Sequence, residues 1–318
     1  MSENKKLLSI VAPAYNEAEN IDEFYSRILE STKDLNLDIE IIYVNDGSLD
    51  KTIDVIYKQK ENNDHITAID LSRNFGKEIA LTAGLDYSSG DAVVVIDTDL
   101  QDPPELIPKL VENWNDGYDV VNAKRIKREG ESSLKKITSY IYYRVLFRLS
   151  DISIPKDIGD FRLLDRKALD ALLKLREKHR YMKGLFVWVG FKQKEIEYER
   201  EARFKGKTKL NLLSLFNLAF DGLTSFSIMP LRLASIIGFL SAVTGFLYGA
   251  IIVIKTIFFH EPVAGFTSLV VLITFFGGIQ LLSIGIIGEY IGRIFNETKN
   301  RPLYIVKNIK HSIFLNKP

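Results

Sequence analysis

The chain is 318 residues long, room for about two domains, and carries 42 Lys and Arg against 41 Asp and Glu, a formal net charge of +1. So even a balance gives no general attraction to nucleic acid. Cysteine is absent, which excludes disulfides, thiolate zinc sites and a cysteine nucleophile, and suits a reducing compartment.

The opening "MSENKKLLSIVAP" holds too short an apolar run for a signal peptide, so the first domain is expected to stay in the cytosol. From there strand-like and helix-like patterns alternate. "LLSIVAPAYN" is followed by a predicted helix from about Ala18 to Lys33, "DIEIIYVNDGS" by "DKTIDVIYKQKEN", and "HITAIDLSRN" by "GKEIALTAGLDYS". "DAVVVIDTD" is followed by "PPELIPKLVENWND" and then "YDVVNAKR". Such βαβ repeats predict an α/β domain with a parallel-rich, twisted sheet flanked by helices. In open sheets of this kind ligands bind beyond the carboxyl ends of the strands. The polar residues collect at those ends: Pro13, Tyr15, Asn16 and Glu17 after the first strand, Asn45 to Ser48 after the second, Arg73 and Asn74 after the third, Asp97 and Asp99 after the fourth. Neither G-x-G-x-x-G after the first strand nor G-x-x-x-x-G-K-[ST] is present, which argues against a dinucleotide fold and a P-loop.

The apolar run Ala92–Ile96 enters Asp97, Asp99 and Asp102 directly. Acids so close repel one another, and a solvated loop ahead of a helix started by Pro103 and Pro104 is one reading. The other is a site: two carboxylates on a tight turn are hard oxygen ligands that suit Mg²⁺ or Mn²⁺ and, through the ion, a substrate diphosphate. Asp46 could accept hydrogen bonds from a nucleobase or ribose, or close an Asx-turn in "NDGS". Lys77 could neutralise phosphate, or be a solvated lysine at a helix start.

Further along, Leu212, Leu215, Phe216, Ala219, Leu223 and Phe226 fall on one predicted helical face, the pattern of a helix lying at a membrane surface. Residues 233–254 and 262–288 are free of charge, and each is long enough to span a bilayer, which takes about 20 residues. Their flanks hold Arg232 on one side and Arg293, Lys299, Arg301, Lys307 and Lys310 on the other, so both termini are expected to be cytoplasmic. The expected organisation is a cytosolic catalytic domain over 1–210, a juxtamembrane amphipathic helix over 211–230, two transmembrane helices over 231–295 and a basic cytosolic tail over 296–318. Gly277, Gly278, Gly285 and Gly288 permit close helix contact, within the hairpin or in a homo-oligomer.

"VAPAYNE", "VNDGSLDKT", "DTDLQDPPE" and "GDFRLLDR", in this order and followed by two spans, closely resemble the polyisoprenyl-phosphate glycosyltransferases, GT-A enzymes of glycosyltransferase family 2. The relatives include dolichyl-phosphate mannose synthase and the bactoprenol glucosyltransferases, whose branch the two-span hairpin resembles most. The resemblance implies a bacterial inner-membrane enzyme moving a hexose, with glucose from UDP-glucose suggested by that branch, onto polyprenyl phosphate. It implies that Pro13, Tyr15, Glu17 and Asp46 line the nucleotide pocket, and Lys77, read from its own position, is expected to join them. Asp97 and Asp99 would be the D-x-D pair on metal and diphosphate, with Gln101 beside them. Arg125 and Arg128 match basic positions facing the acceptor phosphate, and Arg203 and Lys209 a basic loop near both phosphates. The Q-x-x-R-W motif of processive synthases is absent, which argues against polymerisation.

The chemistry of such an acceptor agrees. A sugar hydroxyl needs a general base, whereas a phosphate monoester, with its second pKa of about 6, is already an anionic nucleophile at neutral pH. The protein then needs cations, and Lys124 to Lys136 and Arg200 to Lys209 each form a basic cluster, unless these are solvated faces or contacts to anionic lipid. Of Asp157 and Asp160, Asp157 is expected to take a catalytic role, ordering the acceptor or acting as base; a structural Asp–Arg pair is the alternative. A different nucleotide sugar such as GDP-mannose, a protein or lipid hydroxyl as acceptor, and a non-enzymatic scaffold with a degenerate domain are the competing readings.

Overall fold

A computed structural model of the protein describes residues 5–126, 158–199, 227–259 and 265–314. The first four strands are β1 (Leu7–Ala14), β2 (Asp38–Asn45), β3 (Ile66–Leu71) and β4 (Ala92–Val95). They alternate with helices α1 (Ile21–Thr32), α2 (Thr52–Asn62) and α3 (Lys77–Asp86); a short 3₁₀ turn (Pro104–Leu106) leads into α4 (Ile107–Asn115) and β5 (Val120–Arg125). Then come β6 (Ile158–Asp165), α5 (Arg166–Leu173), α6 (Met182–Trp188) and β7 (Gln193–Tyr198). The chain closes with two long helices, α7 (Met229–Phe259) and α8 (Phe266–Thr298), and a last strand β8 (Val306–Lys310).

The strands form one eight-stranded sheet in the order β7-β5-β6-β4-β1-β2-β3-β8. The pairs β1–β2, β2–β3 and β1–β4 are parallel, as the alternation predicts, and β5 and β7 also pair in parallel. β6 runs antiparallel between β4 and β5, and β8 runs antiparallel along β3. Residues alternate between two buried clusters. Leu8, Ile10, Ile41 and Val94 pack with Phe24, Ile28 and Ile56 of α1 and α2 and Leu110 of α4 on one face. Val11, Ile42, Val44 and Val93 pack with Leu81 of α3, Leu169 of α5 and Phe186 of α6 on the other. This is why the strands read as unbroken apolar runs. The helix α3 lies so close to the sheet that a Cβ on Gly84 would stand 2.3 Å from Val11 Cγ1, so only glycine fits there.

Both α7 and α8 are long and apolar enough to cross a membrane, and their apolar side chains face outward. The segment expected as an interfacial helix lies outside the described residues except for its last positions, where Tyr290 Oη donates to the Ser227 carbonyl at 2.8 Å.

The segment expected to be a basic tail does more than carry charge. After α8 the chain turns at Asn300, which adopts φ 45°, and Ser72 N–H donates to the Ile305 carbonyl at 2.9 Å. β8 then pairs with β3 from Leu71↔Val306 to Ala68↔Lys310. Lys307 meets Asp70 at 3.4 Å and Lys310 meets Glu61 at 3.4 Å, so the basic residues sit against acids of the first domain. Beyond the strand, Ser312 is 1% exposed. Its N–H donates to Thr67 Oγ1 at 3.0 Å and its Oγ to Glu40 Oε1 at 2.7 Å. Glu40 is itself fully buried and also accepts from Ser9 Oγ at 2.7 Å and Ser89 N–H at 3.2 Å. The sheet of the first domain is therefore completed by residues that follow the long helices.

Candidate active site

Because β1 to β4 are mutually parallel, Ala14, Asn45, Leu71 and Val95 all end at one edge of the sheet. β5 and β7 end there too, at Arg125 and Tyr198, while β6 begins there at Ile158 and β8 enters there at Val306. The loops at this edge are stitched together. Asn16 N–H donates to Ser48 Oγ at 2.9 Å, Leu49 N–H to Asn16 Oδ1 at 2.8 Å, and Glu17 N–H to Thr52 Oγ1 at 2.9 Å. Glu17 Oε2 accepts from Asn20 Nδ2 at 2.5 Å, and Tyr15 lies half-buried at the mouth of the same loop.

Asp46 is turned inward. Its two carboxylate oxygens accept the Phe75 N–H at 2.7 Å and the Gly76 N–H at 3.0 Å. Burial pushes its carboxyl above the ordinary range, and these two N–H groups and Arg73 offset only part of that. Asp46 thus braces the loop that leads into Lys77. The next residue, Gly47, has φ 63°, and a Cβ on it would lie 2.4 Å from the Arg73 backbone. The "DG" pair is needed so that two strand-end loops can touch.

The acidic turn folds tightly on the floor of this edge. Thr98 Oγ1 donates to the Pro13 carbonyl at 3.3 Å, Gln101 N–H to Asp99 Oδ1 at 3.2 Å, and Leu100 takes φ 58° with its side chain buried. Lys77, the first residue of α3, reaches across to Asp97 Oδ2 at 2.7 Å and to Asp160 Oδ2 at 2.5 Å. The other Asp160 oxygen is buried and has no hydrogen-bond partner among the described residues. Burial opposes ionisation of Asp160, but Lys77, Lys183 and Arg162 outweigh it and hold its carboxyl well below the usual range. Asp97 is pushed the other way, by burial first, with Asp160, Asp102 and Asp99 adding to it against Lys77. Arg162 is buried in β6 with its guanidinium 3.8 Å over the Phe186 ring, and Nη2 donates to the Gly159 carbonyl at 2.6 Å.

Glu78, next to Lys77, is half-buried and accepts the Met182 N–H at 3.1 Å. Burial, then Asp160, raise its pKa to about 7. An acid whose folded pKa exceeds its unfolded value releases its proton first in the unfolded state, so it costs stability as pH rises from about 4.5 to 7. Glu78→Gln is expected to remove that slope and to stabilise the protein at neutral pH by up to about 3 kcal/mol. Thermal melts of both proteins at pH 5 and pH 7.5 would check it; parallel shifts with pH would assign the slope to other groups.

The structure thus brings Asp97, Lys77 and Asp160 into contact, with Asp99, Gln101 and Pro13 in or under the same turn. Arg125 stands beside them, engaged by Asp102 and Tyr198. Arg128, Asp157, Arg203 and Lys209 lie outside the described residues. Glu78 and Tyr198 gain their importance only in three dimensions. "GDFR" already marks Asp160, but nothing local marks Tyr198.

Residues 9–173 match the sequence profile described as Glycosyl transferase family 2, and residues 229–294 that described as GtrB C-terminal hairpin. The chain belongs to glycosyl transferase family 2. Relatives among glycosyltransferases match nearly all of its length. An uncharacterized glycosyltransferase of Synechocystis is 48% identical over 95% of this chain and 95% of its own. An uncharacterized glycosyltransferase of Bacillus subtilis is 49% identical over 94% of this chain and 93% of its own. The bactoprenol glucosyl transferase of Shigella phage SfV is 45% identical over 95% of this chain and 99% of its own. The family 2 match thus spans β1 to β6 with α1 to α5, and the hairpin match spans α7 and most of α8.

A divalent ion suits the acids of this family 2 site. Asp97, Asp99, Asp102 and Asp160 are clustered and buried or half-buried, and Lys77 is the one cation within ion-pair distance of Asp97 among the described residues. No group of three or more His, Asp or Glu that could hold a metal is present among the described residues. Two carboxylates completed by water and a diphosphate are what Mg²⁺ ordinarily takes, so the donor set fits an ion that arrives with its substrate.

Proposed function

We propose that the protein is a membrane-bound inverting glycosyltransferase that moves glucose from UDP-glucose to polyprenyl phosphate at the cytosolic face of the bacterial plasma membrane. The observation that carries this reading is the likeness to a bactoprenol glucosyl transferase along almost the full chain, family domain and hairpin together. The position of the acids supports it, because they lie at the sheet edge where the chain arriving from α8 enters as β8. A lipid phosphate and a soluble donor would meet at that edge.

In this reading Asp97 and Asp99 would hold Mg²⁺ or Mn²⁺ together with the donor diphosphate, with Gln101 beside them. The ion's contribution is to stabilise charge on the departing diphosphate. Pro13, Tyr15, Glu17 and Asp46 form the nucleotide side, where Asp46 acts at least as a brace. Lys77 neutralises part of the acid cluster and keeps Asp160 ionised. A carboxyl held that far below the usual range is a weak base, which suits an acceptor that needs none. The phosphate dianion forms the new bond to the anomeric carbon as the bond from that carbon to UDP breaks, and UDP leaves from the opposite face. Arg125, and in the sequence beyond it Arg128, Arg203 and Lys209, hold the acceptor phosphate.

The test is transfer of label from UDP-glucose into a mild-acid-labile lipid by the purified protein with polyprenyl phosphate and Mg²⁺ or Mn²⁺. Label appearing only with GDP-mannose would move the donor assignment. Label appearing in a lipid or protein hydroxyl, or no nucleotide release on adding polyprenyl phosphate, would overturn the acceptor.

A further inference from the structure

Asp102 is the third acid of the turn, and its contacts differ from those of Asp97, running to Arg125 and Tyr198. It is 1% exposed, accepts the Tyr198 hydroxyl, and lies 3.4 and 3.5 Å from Arg125 Nη2 through its two oxygens. Arg125 Nε in turn donates to Tyr198 Oη at 3.0 Å. The Tyr198 ring is fixed edge-on against Phe161, with centroids 6.1 Å apart. On the opposite side the guanidinium lies over Gly159, where a Cβ would stand 2.6 Å from Nη2. Two of the three guanidinium nitrogens are therefore held by a closed ring of partners, and Nη1 takes no part in these bonds.

This knot joins three strand ends. Asp102 belongs to the turn after β4, Arg125 ends β5 where the first basic cluster runs on, and Tyr198 ends β7 just before the second. β5 and β7 are paired in register up to these two residues, Arg125↔Tyr198. A hydroxyl and a carboxylate that take Nε and Nη2 fix the plane of a side chain that is otherwise long and free to rotate. Ordering that side chain in advance lowers what binding a phosphate must lose in side-chain freedom.

We propose that Tyr198 and Asp102 are positioning residues for acceptor binding, which hold the Arg125 guanidinium at the sheet edge for the acceptor phosphate and tie it to the metal-side turn. The inference rests on the reading of the acceptor as polyprenyl phosphate.

Tyr198→Phe keeps the ring on Phe161 and removes only the hydroxyl. It is expected to raise KM for polyprenyl phosphate about tenfold, the size of one hydrogen bond to a charged group, while the Kd for UDP-glucose with Mn²⁺ stays within about threefold. Gly159→Ala, which crowds the guanidinium from the other side, is expected to give the same split. The deciding readout is a double-mutant cycle: Arg125→Ala combined with Tyr198→Phe is expected to have the KM of Arg125→Ala alone, because Tyr198 acts through Arg125. Additive effects, an unchanged acceptor KM in both Tyr198→Phe and Gly159→Ala, or equal losses of donor and acceptor binding with a lowered melting temperature would overturn the proposal. Those outcomes are read with the wild type active on polyprenyl phosphate. A wild type that transfers nothing to it removes the functional reading, and this inference with it.

Discussion

Asp99→Asn is expected to leave the fold unchanged and to lower turnover at least about a hundredfold, because losing one anionic ligand of a divalent ion costs several kcal/mol of leaving-group stabilisation. Asn has the same shape, and its carbonyl oxygen can still accept the Gln101 N–H that Asp99 accepts at 3.2 Å, so the turn has no reason to open. Asp99 is a cleaner probe than Asp97. Replacing Asp97 would also release Lys77, which bonds it at 2.7 Å, and change the balance at Asp160. The measurement is initial rate against Mg²⁺ or Mn²⁺ concentration, beside a thermal melt. Near-normal turnover at saturating metal would remove the ion from Asp99.

Ending the chain at Thr298 is expected to unfold or aggregate a large share of the protein, even though every residue of β1 to β7 remains. The truncation strips β3 of its partner from Ala68 to Leu71 and takes Lys307 from Asp70. It also removes the Ser312 hydroxyl from Glu40, which is fully buried in the full chain. A buried acceptor left unsatisfied costs about 1–3 kcal/mol. With a strand lost as well, the sum is a substantial part of the roughly 5–15 kcal/mol that keeps a domain folded. Ser312→Ala is the milder variant, with an expected loss of about 1–3 kcal/mol. Both are read by melting temperature in detergent, with UDP-glucose binding as the check on the site. A truncated protein with the melting temperature of the full chain would show that β8 is dispensable.

The parallel core was legible because its strands are buried on both faces and so are apolar at every position, as in "DAVVVI". The site edge was legible because parallel strands end together, which gathers Asp46, Asp97 and Asp99 whatever the details of the loops. Nothing in the alternation of patterns marks β6, β7 or β8 as strands. "GDFRLLDR" mixes charge into a buried strand, which is tolerated because Arg162 turns to backbone carbonyls and lies on Phe186. "VKNIK" looks like a basic tail because its lysines meet acids on α2 and β3 that are far away in the chain. The same distance hid Tyr198: its partners Asp102 and Arg125 are brought to it only by the pairing of β5 with β7.

The position of β8 has a consequence for the order in which the protein is made. A ribosome delivers β1 to β7 first, then α7 and α8, and only afterwards the residues that cover β3. Until then β3 presents an unpaired edge of "ITAIDL", which carries neither lysine nor proline to discourage pairing with another chain. The finished edge is the short β8, with Lys307 and Lys310, which discourages it well. The sheet that bears the acids can therefore be closed only after the whole hairpin has been synthesised. A nascent chain that stalls before then is left with an incomplete sheet, and the assembly of the catalytic domain is subordinate to completion of its anchor.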